Sequence, residues 1–290
     1  MNVSSSISRR SFVGTLVTAS GLGLVGCAQG GAGTNPSGAA SSKGDSSKLI
    51  VFAAASLTEA LTAIGDLFKA SEGGSEVVFT FDSSGTLKKQ IVEGAPCDVF
   101  VSAAQKQMNQ LDAKSEKGNE GIDLVDHDTR VDLLENKVTL CVPKGNPKGV
   151  SGFADMADKL KAGQIQLCMG NSDVPVGQYT QQILEHLGLD ENELAQAGRI
   201  TYGSNVKEVT SQLSEAAVDC GVIYKTDAHA AGLEVVEEAD SSLCGRVIYP
   251  AAALKDAPQP ELAKAFLAFL KTADAAAQFE KAGFTPLATA

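Results

Sequence analysis

Four short segments carry residues able to hold a negatively charged group. They are Ala53-Ala54-Ala55-Ser56-Leu57-Thr58-Glu59, Phe81-Asp82-Ser83-Ser84-Gly85-Thr86-Leu87, Asn171-Ser172-Asp173-Val174-Pro175-Val176-Gly177 and Tyr202-Gly203-Ser204-Asn205-Val206-Lys207-Glu208. Each lies where a strand-like apolar run gives way to a helical pattern. In the first, Ser56 followed by Glu59 reads as a capping box with Ser56 as N-cap, and Asn205 with Glu208 repeats the pattern in the fourth. The second enters its helix through Ser83 and Ser84, and the third through Pro175, which fits a first helical turn because its missing N–H is not needed there. A helix start leaves several backbone N–H groups unpaired and carries roughly half a positive charge. An oxyanion placed there is held without Lys or Arg, and serine hydroxyls add donors. One such start is ordinary capping chemistry. Runs of consecutive small residues, which let an anion approach the backbone, make the group a candidate anion site.

The elements that must position these segments alternate along the chain. Strand patterns cover Leu49–Ala53, Glu76–Phe81, Asp98–Val101, Lys137–Val142, Gln164–Met169, Ile200–Tyr202, Gly221–Tyr224, Leu233–Val236 and Val247–Leu254. Several are continuously apolar, as in sheets buried on both faces. Helical patterns cover Leu57–Ala70, Leu87–Glu93, Gln105–Ala113, Phe153–Lys161, Tyr179–Leu187, Val206–Ala217, Glu261–Lys271 and Asp274–Lys281. The alternation predicts an α/β fold with mostly parallel sheets flanked by helices. Ligands of such sheets sit beyond the carboxyl ends of the strands, where all four segments fall.

With 290 residues, 43% of them hydrophobic, the chain can bury a substantial core. A net charge of −11 excludes a nucleic-acid binder, which would carry a basic stripe. It does not exclude an anion ligand held by neutral donors. At the N-terminus, Arg9-Arg10 precede an apolar run from Val13 to Val25 that ends in Leu24-Val25-Gly26-Cys27. This reads as an export signal over 1–27, with a twin-arginine pair and a lipobox that makes Cys27 the lipidated mature N-terminus. The Gly-, Ala- and Ser-rich stretch over 28–47 reads as a flexible tether, and no later run reaches the roughly 18 apolar residues of a membrane span. Cys97, Cys141, Cys168, Cys220 and Cys244 show neither CxxC nor zinc-ligand spacing. They read as buried apolar residues, with room for one disulfide.

The chain resembles the periplasmic molybdate-binding proteins of ABC transporters. The resemblance rests on Val51–Leu57, Phe81–Leu87, Gly94–Ala103, Val174–Tyr179, Gly221–Tyr224 and Gly283-Phe284. It implies a two-lobe periplasmic-binding-protein fold in which hydroxyls and backbone amides bind a buried, dehydrated oxyanion. Lobe I would comprise 48–135 plus 248–290 and lobe II 136–247, with hinge crossings near Leu134–Lys137 and Arg246–Pro250. Carried over by position, Ser56 and Ser84 supply hydroxyl and amide donors, Val176 and Val206 backbone N–H groups, and Tyr224 its phenolic O–H. Val176 stands where the family often has Ala, Gly85 where a Ser is common, and Cys97 where a small residue is usual.

The resemblance implies capture of molybdate, with tungstate beside it, for an ABC permease, by a monomer tethered to the outer face of the membrane through Cys27. No cofactor or metal cation is implied, because molybdenum arrives as the oxyanion. Sulfate or another tetrahedral oxyanion is the alternative within the binding class. An oxyanion-ester hydrolase is the alternative outside it. His127, His186 and His229 are scattered, and GxSxG and Walker patterns are absent from the sequence, so nothing places a base beside Ser56 or Ser84.

Overall fold

The computed structural model describes residues 48–71, 75–119 and 121–287. The signal read over 1–27, the lipidation residue Cys27 and the tether over 28–47 lie outside the described residues.

Eleven strands among the described residues form two sheets. In chain order they are β1 (Lys48–Ala54), β2 (Glu76–Asp82), β3 (Val99–Val101), β4 (Val131–Asn136), β5 (Val138–Val142), β6 (Leu167–Gly170), β7 (Ile200–Gly203), β8 (Cys220–Tyr224), β9 (Glu234–Glu238), β10 (Val247–Ala253) and β11 (Thr285–Pro286). The first sheet has the order β11-β4-β10-β3-β1-β2, the second β7-β6-β8-β5-β9. Helices α1 (Thr58–Ser71), α2 (Ser84–Val92), α3 (Gln105–Leu111), α4 (Phe153–Lys161), α5 (Pro175–His186), α6 (Glu191–Gln196), α7 (Val206–Ser214), α8 (Lys225–Ala231), α9 (Ser241–Cys244), α10 (Pro260–Phe269) and α11 (Ala273–Lys281) flank them. This is a two-lobe α/β fold. The chain leaves the first sheet at Asn136, enters the second at Val138, and returns between Glu238 and Val247.

The sheets are mixed, a correction to the mostly parallel expectation. β1 runs parallel to β2 and β3, and β6 parallel to β7 and β8. β10 runs antiparallel to β3 and β4, and β5 antiparallel to β8 and β9. The reason lies in the crossings. β5 and β10 each arrive from the other sheet, so they start at the end where the parallel strands finish. Thus Val138 opens β5 opposite Tyr224, the last residue of β8, and Val247 opens β10 opposite Asn136, the last residue of β4.

Every residue of β5, β6, β8 and β10 is buried, which explains why their sequences read as unbroken apolar runs. The rings of Phe68 on α1 and Phe266 on α10 meet edge-on at 5.1 Å against the first sheet. All five described cysteines are buried free thiols, so the disulfide left open by the sequence does not form. Burial pushes the Cys97 and Cys220 thiols up to about 12, and those of Cys141 and Cys244 up to about 11. They remain protonated and inert.

Candidate functional site

Register brings the four helix starts together. Ala54 pairs with Asp82 and Ala53 with Val101, so β1, β2 and β3 finish level. In the second sheet Gly170 pairs with Gly203, so β6 and β7 finish level as well. The segments leaving these ends face one another. Ser56, Ser84, Val176, Val206 and Tyr224 all line one small cavity. They are 4%, 0%, 0%, 4% and 1% exposed, so the two lobes are closed over the cavity. The structure therefore gathers all five residues singled out from the sequence.

Each is positioned differently. The capping box expected at Ser56 and Glu59 is not formed. A 3₁₀ turn over Ala55–Leu57 precedes α1, Ser56 makes no capping bond, and Glu59 turns to the ammonium of Lys207 at 2.8 Å. A charged partner outcompetes a backbone amide for that carboxylate. Ser56 Oγ instead lies 2.9 Å from Tyr249 Oη. Asn136 Nδ2 donates to Tyr249 Oη at 3.2 Å and to Thr226 Oγ1 at 3.0 Å. Tyr249 thus accepts from Asn136 and can give its own proton to Ser56, which frees the Ser56 hydroxyl proton for the cavity.

At the second start the cap is Ser83, whose Oγ accepts from Thr86 N at 3.1 Å. Ser84 Oγ accepts from Ala103 N at 2.9 Å, leaving the Ser84 proton to donate. Pro175 opens α5 as expected, which puts the Val176 N–H in the first turn without an intrahelical carbonyl. At α7, Asn205 Oδ1 accepts from Glu208 N at 3.1 Å, while Glu208 reaches back to Ser204 N at 2.7 Å, one residue before the cap. Buried hydroxyls then fix both first turns: Thr180 donates to the Val176 carbonyl at 2.7 Å, and Thr210 to the Val206 carbonyl at 2.9 Å.

Tyr224 closes the wall. Its ring packs edge-on against Tyr249 and Tyr179, with centroids 5.8 and 6.5 Å apart. Its hydroxyl is buried with no hydrogen-bond partner, and it does not meet the Tyr249 hydroxyl in bonding geometry. Burial above all, then the neighbouring Tyr249, Tyr179 and Asp227, pushes its pKa well above 10, so it stays a donor. An orphaned buried hydroxyl costs about 1–3 kcal/mol, which a ligand acceptor would relieve.

The cavity wall carries one charged side chain, Asp82, and its Oδ1 accepts from Ser83 N at 2.7 Å. Positive potential comes from the starts of α2, α5 and α7. The cations nearby are spent at the rims. Lys89 on α2 meets Asp173 from the second lobe at 2.5 Å. Lys207 on α7 lies 2.8 Å from Glu59 on α1 and 3.1 Å from buried Asp227 on α8. Burial pushes the Asp227 carboxyl up to about 6 against the pull of Lys207. Tyr249, Asn136, Ala103 and the two threonines were not singled out from the sequence. Nothing local marks them, since Tyr249 meets Ser56 across 193 positions of chain.

Two α/β lobes, joined by two crossings and closed on a cavity of neutral donors, define a cleft-closing ligand-binding protein. The chain belongs to the bacterial extracellular solute-binding protein family, whose model matches residues 49–285. It is accordingly a binding protein and not an enzyme, and the ester-hydrolase alternative falls away. YvgL of Bacillus subtilis (strain 168), provisionally named an ABC transporter substrate-binding lipoprotein, is 32% identical over 82% of this chain and 86% of its own length. The molybdate-binding protein ModA of Mycobacterium tuberculosis (strain ATCC 25618 / H37Rv) is 32% identical over 90% of this chain and 92% of its own. The periplasmic molybdate-binding protein of Azotobacter vinelandii shares the fold, with a TM-score of 0.68 and 24% identity over 82% of this chain and 98% of that one.

Proposed function

We propose that this protein captures molybdate, and tungstate with it, between its lobes and delivers the anion to an ABC permease. The observation that carries the reading is the meeting of Ser56, Ser84, Val176, Val206 and Tyr224 from both lobes in one buried cavity. Three hydroxyl protons and the amides of the helix starts converge there, so the wall donates and scarcely accepts. A fully ionised tetrahedral dianion satisfies such a wall. Hydrogen phosphate brings a proton that needs an acceptor, and the wall offers a single carboxylate for it, Asp82, whose Oδ1 already accepts from Ser83 N. The relatives named for molybdate support molybdate over the smaller sulfate.

The anion bridges the lobes and stabilises the closed state by its preference for it. A lipid on Cys27 would hold the protein near its permease. The name of the Bacillus relative supports such an anchor, and mass spectrometry of the mature N-terminus tests it. Isothermal calorimetry of the anion-free protein with molybdate, tungstate, sulfate and phosphate tests the function. Molybdate and tungstate should bind tightest. Sulfate binding tighter than molybdate would overturn the specificity, and no binding to any of the four would overturn the function.

A further inference from the structure

The lobes touch at a residue without a side chain. Gly85 is the second residue of α2, buried, and belongs to the first lobe. A Cβ built on it would stand 2.1 Å from the carbonyl oxygen of Asp173 and 2.9 Å from its carbonyl carbon, both in the second lobe. The obstacle is backbone, so no rotamer change relieves it. Nor is that backbone free to retreat. Asp173 N donates to Asn171 Oδ1 at 2.9 Å, Val174 N to the Asn171 carbonyl at 3.0 Å, and Asn171 N to the Gly203 carbonyl at 3.0 Å. One turn further along α2, Lys89 reaches the carboxylate of the same Asp173 at 2.5 Å. The start of α2 therefore seats directly on the Asn171–Val174 turn, beside Ser84 on one side and Val176 on the other.

We propose that Gly85 sets how far the cleft can close and so determines the affinity of the site. Any side chain at 85 holds the lobes apart by roughly an ångström, the gap between 2.1 Å and an ordinary contact of 3.4 Å or more. Donors from one lobe then lose hydrogen-bond distance to an anion seated on the other. The inference rests on the proposed oxyanion reading for its effect on affinity, but not for its effect on closure.

Two measurements separate the two. The first is calorimetry with molybdate on wild type, Gly85→Ala, Gly85→Val and Lys89→Met. Losing one hydrogen bond to a charged group costs about 1.5–3 kcal/mol, so Gly85→Ala should bind at least about tenfold more weakly. Gly85→Val should bind more weakly still. Lys89→Met removes only an exposed ion pair and should stay within about threefold. The anion-free melting temperatures of the Gly85 variants should match wild type, because in the open cleft the start of α2 is clear of the Asn171–Val174 turn and there accepts Ala at least as well as Gly. The second measurement needs no known ligand. A carbodiimide joins Lys89 Nζ to the Asp173 carboxylate as an amide, with loss of water to the reagent, only when the lobes meet. Mass spectrometry of the cross-linked peptide should show a severalfold lower yield in Gly85→Ala. A Gly85→Ala variant that binds molybdate within twofold of wild type, or cross-links as fast, overturns the proposal. So does a wild type that forms no cross-link at saturating anion. A wild type that cross-links but binds none of the four oxyanions overturns the function and leaves the cross-linking comparison to decide the role of Gly85.

Discussion

Replacing Tyr224 by Phe removes one oxygen and should move binding and stability independently. The ring contacts with Tyr249 and Tyr179 survive the change, since both are edge-on and need no hydroxyl. The lost hydroxyl has no partner in the protein, so no internal bond is broken. Anion-free stability should hold or rise. In the liganded state the hydroxyl is a neutral donor to an anion, a bond worth about 1.5–3 kcal/mol, so the dissociation constant should rise roughly 10- to 100-fold. Thermal melting reads both effects at once. At molybdate about 100-fold above the wild-type dissociation constant, ligand stabilises wild type by about 2.7 kcal/mol, and by about 0.4 kcal/mol if affinity falls 100-fold. For a body of this size about 1 kcal/mol moves the midpoint about 2–4 °C, so a ligand shift of several degrees should fall by about half or more. An anion-free midpoint lowered by several degrees, with the ligand shift intact, would refute the reasoning and make Tyr224 a packing residue.

Ser84→Ala should fail in both respects: it removes a donor to the anion and strands the buried Ala103 N–H that Ser84 Oγ accepts at 2.9 Å. Urea unfolding should show a loss of about 1–3 kcal/mol without ligand, and calorimetry weaker molybdate binding; unchanged anion-free stability would contradict the assignment. Asp227→Asn should change the pH dependence of stability. The folded carboxyl lies at about 6 because it is buried, against 3.8 for a free carboxyl. Its contribution is fully present below about pH 4 and is lost as pH rises through 6. The Asn variant lacks that loss, so its stability relative to wild type should rise by about 2–3 kcal/mol between pH 4 and pH 7 in urea titrations; a constant difference would show that Asp227 titrates like an ordinary carboxyl.

The sequence disclosed those parts of the fold whose cause is local. Phe153–Lys161 is a helix because its apolar residues repeat at helical spacing, and it appears with those bounds. β4 was hidden because Asp132, Glu135 and Asn136 break its apolar run, so it read as part of a crossing. α6, α8 and α9 have 6, 7 and 4 residues, too few for a helical period to declare itself. The same division holds in the site. Pro175 and Asn205 act within their own turns and were legible. The Ser56 prediction missed because Glu59 found Lys207, 148 positions away, a partner no local pattern reveals.

The charge of the chain sharpens the account of how such a site must work. A protein with net charge −11 repels a dianion at long range, although that field decays within roughly 8 Å at physiological salt. Capture therefore depends on groups the anion touches, and these are dipoles whose strength grows as water is expelled. The structure keeps formal cations out of the cavity wall and holds Lys89 and Lys207 at the rims in ion pairs that span the lobes. A lysine in the wall would bind sulfate, phosphate and chloride alike in the open cleft. Neutral donors bind strongly only once the lobes meet and only an anion that fits all of them, so selectivity and closure become the same event. That is why a glycine at the lobe contact, and an orphaned tyrosine hydroxyl awaiting an acceptor, matter more here than any charged residue near the site.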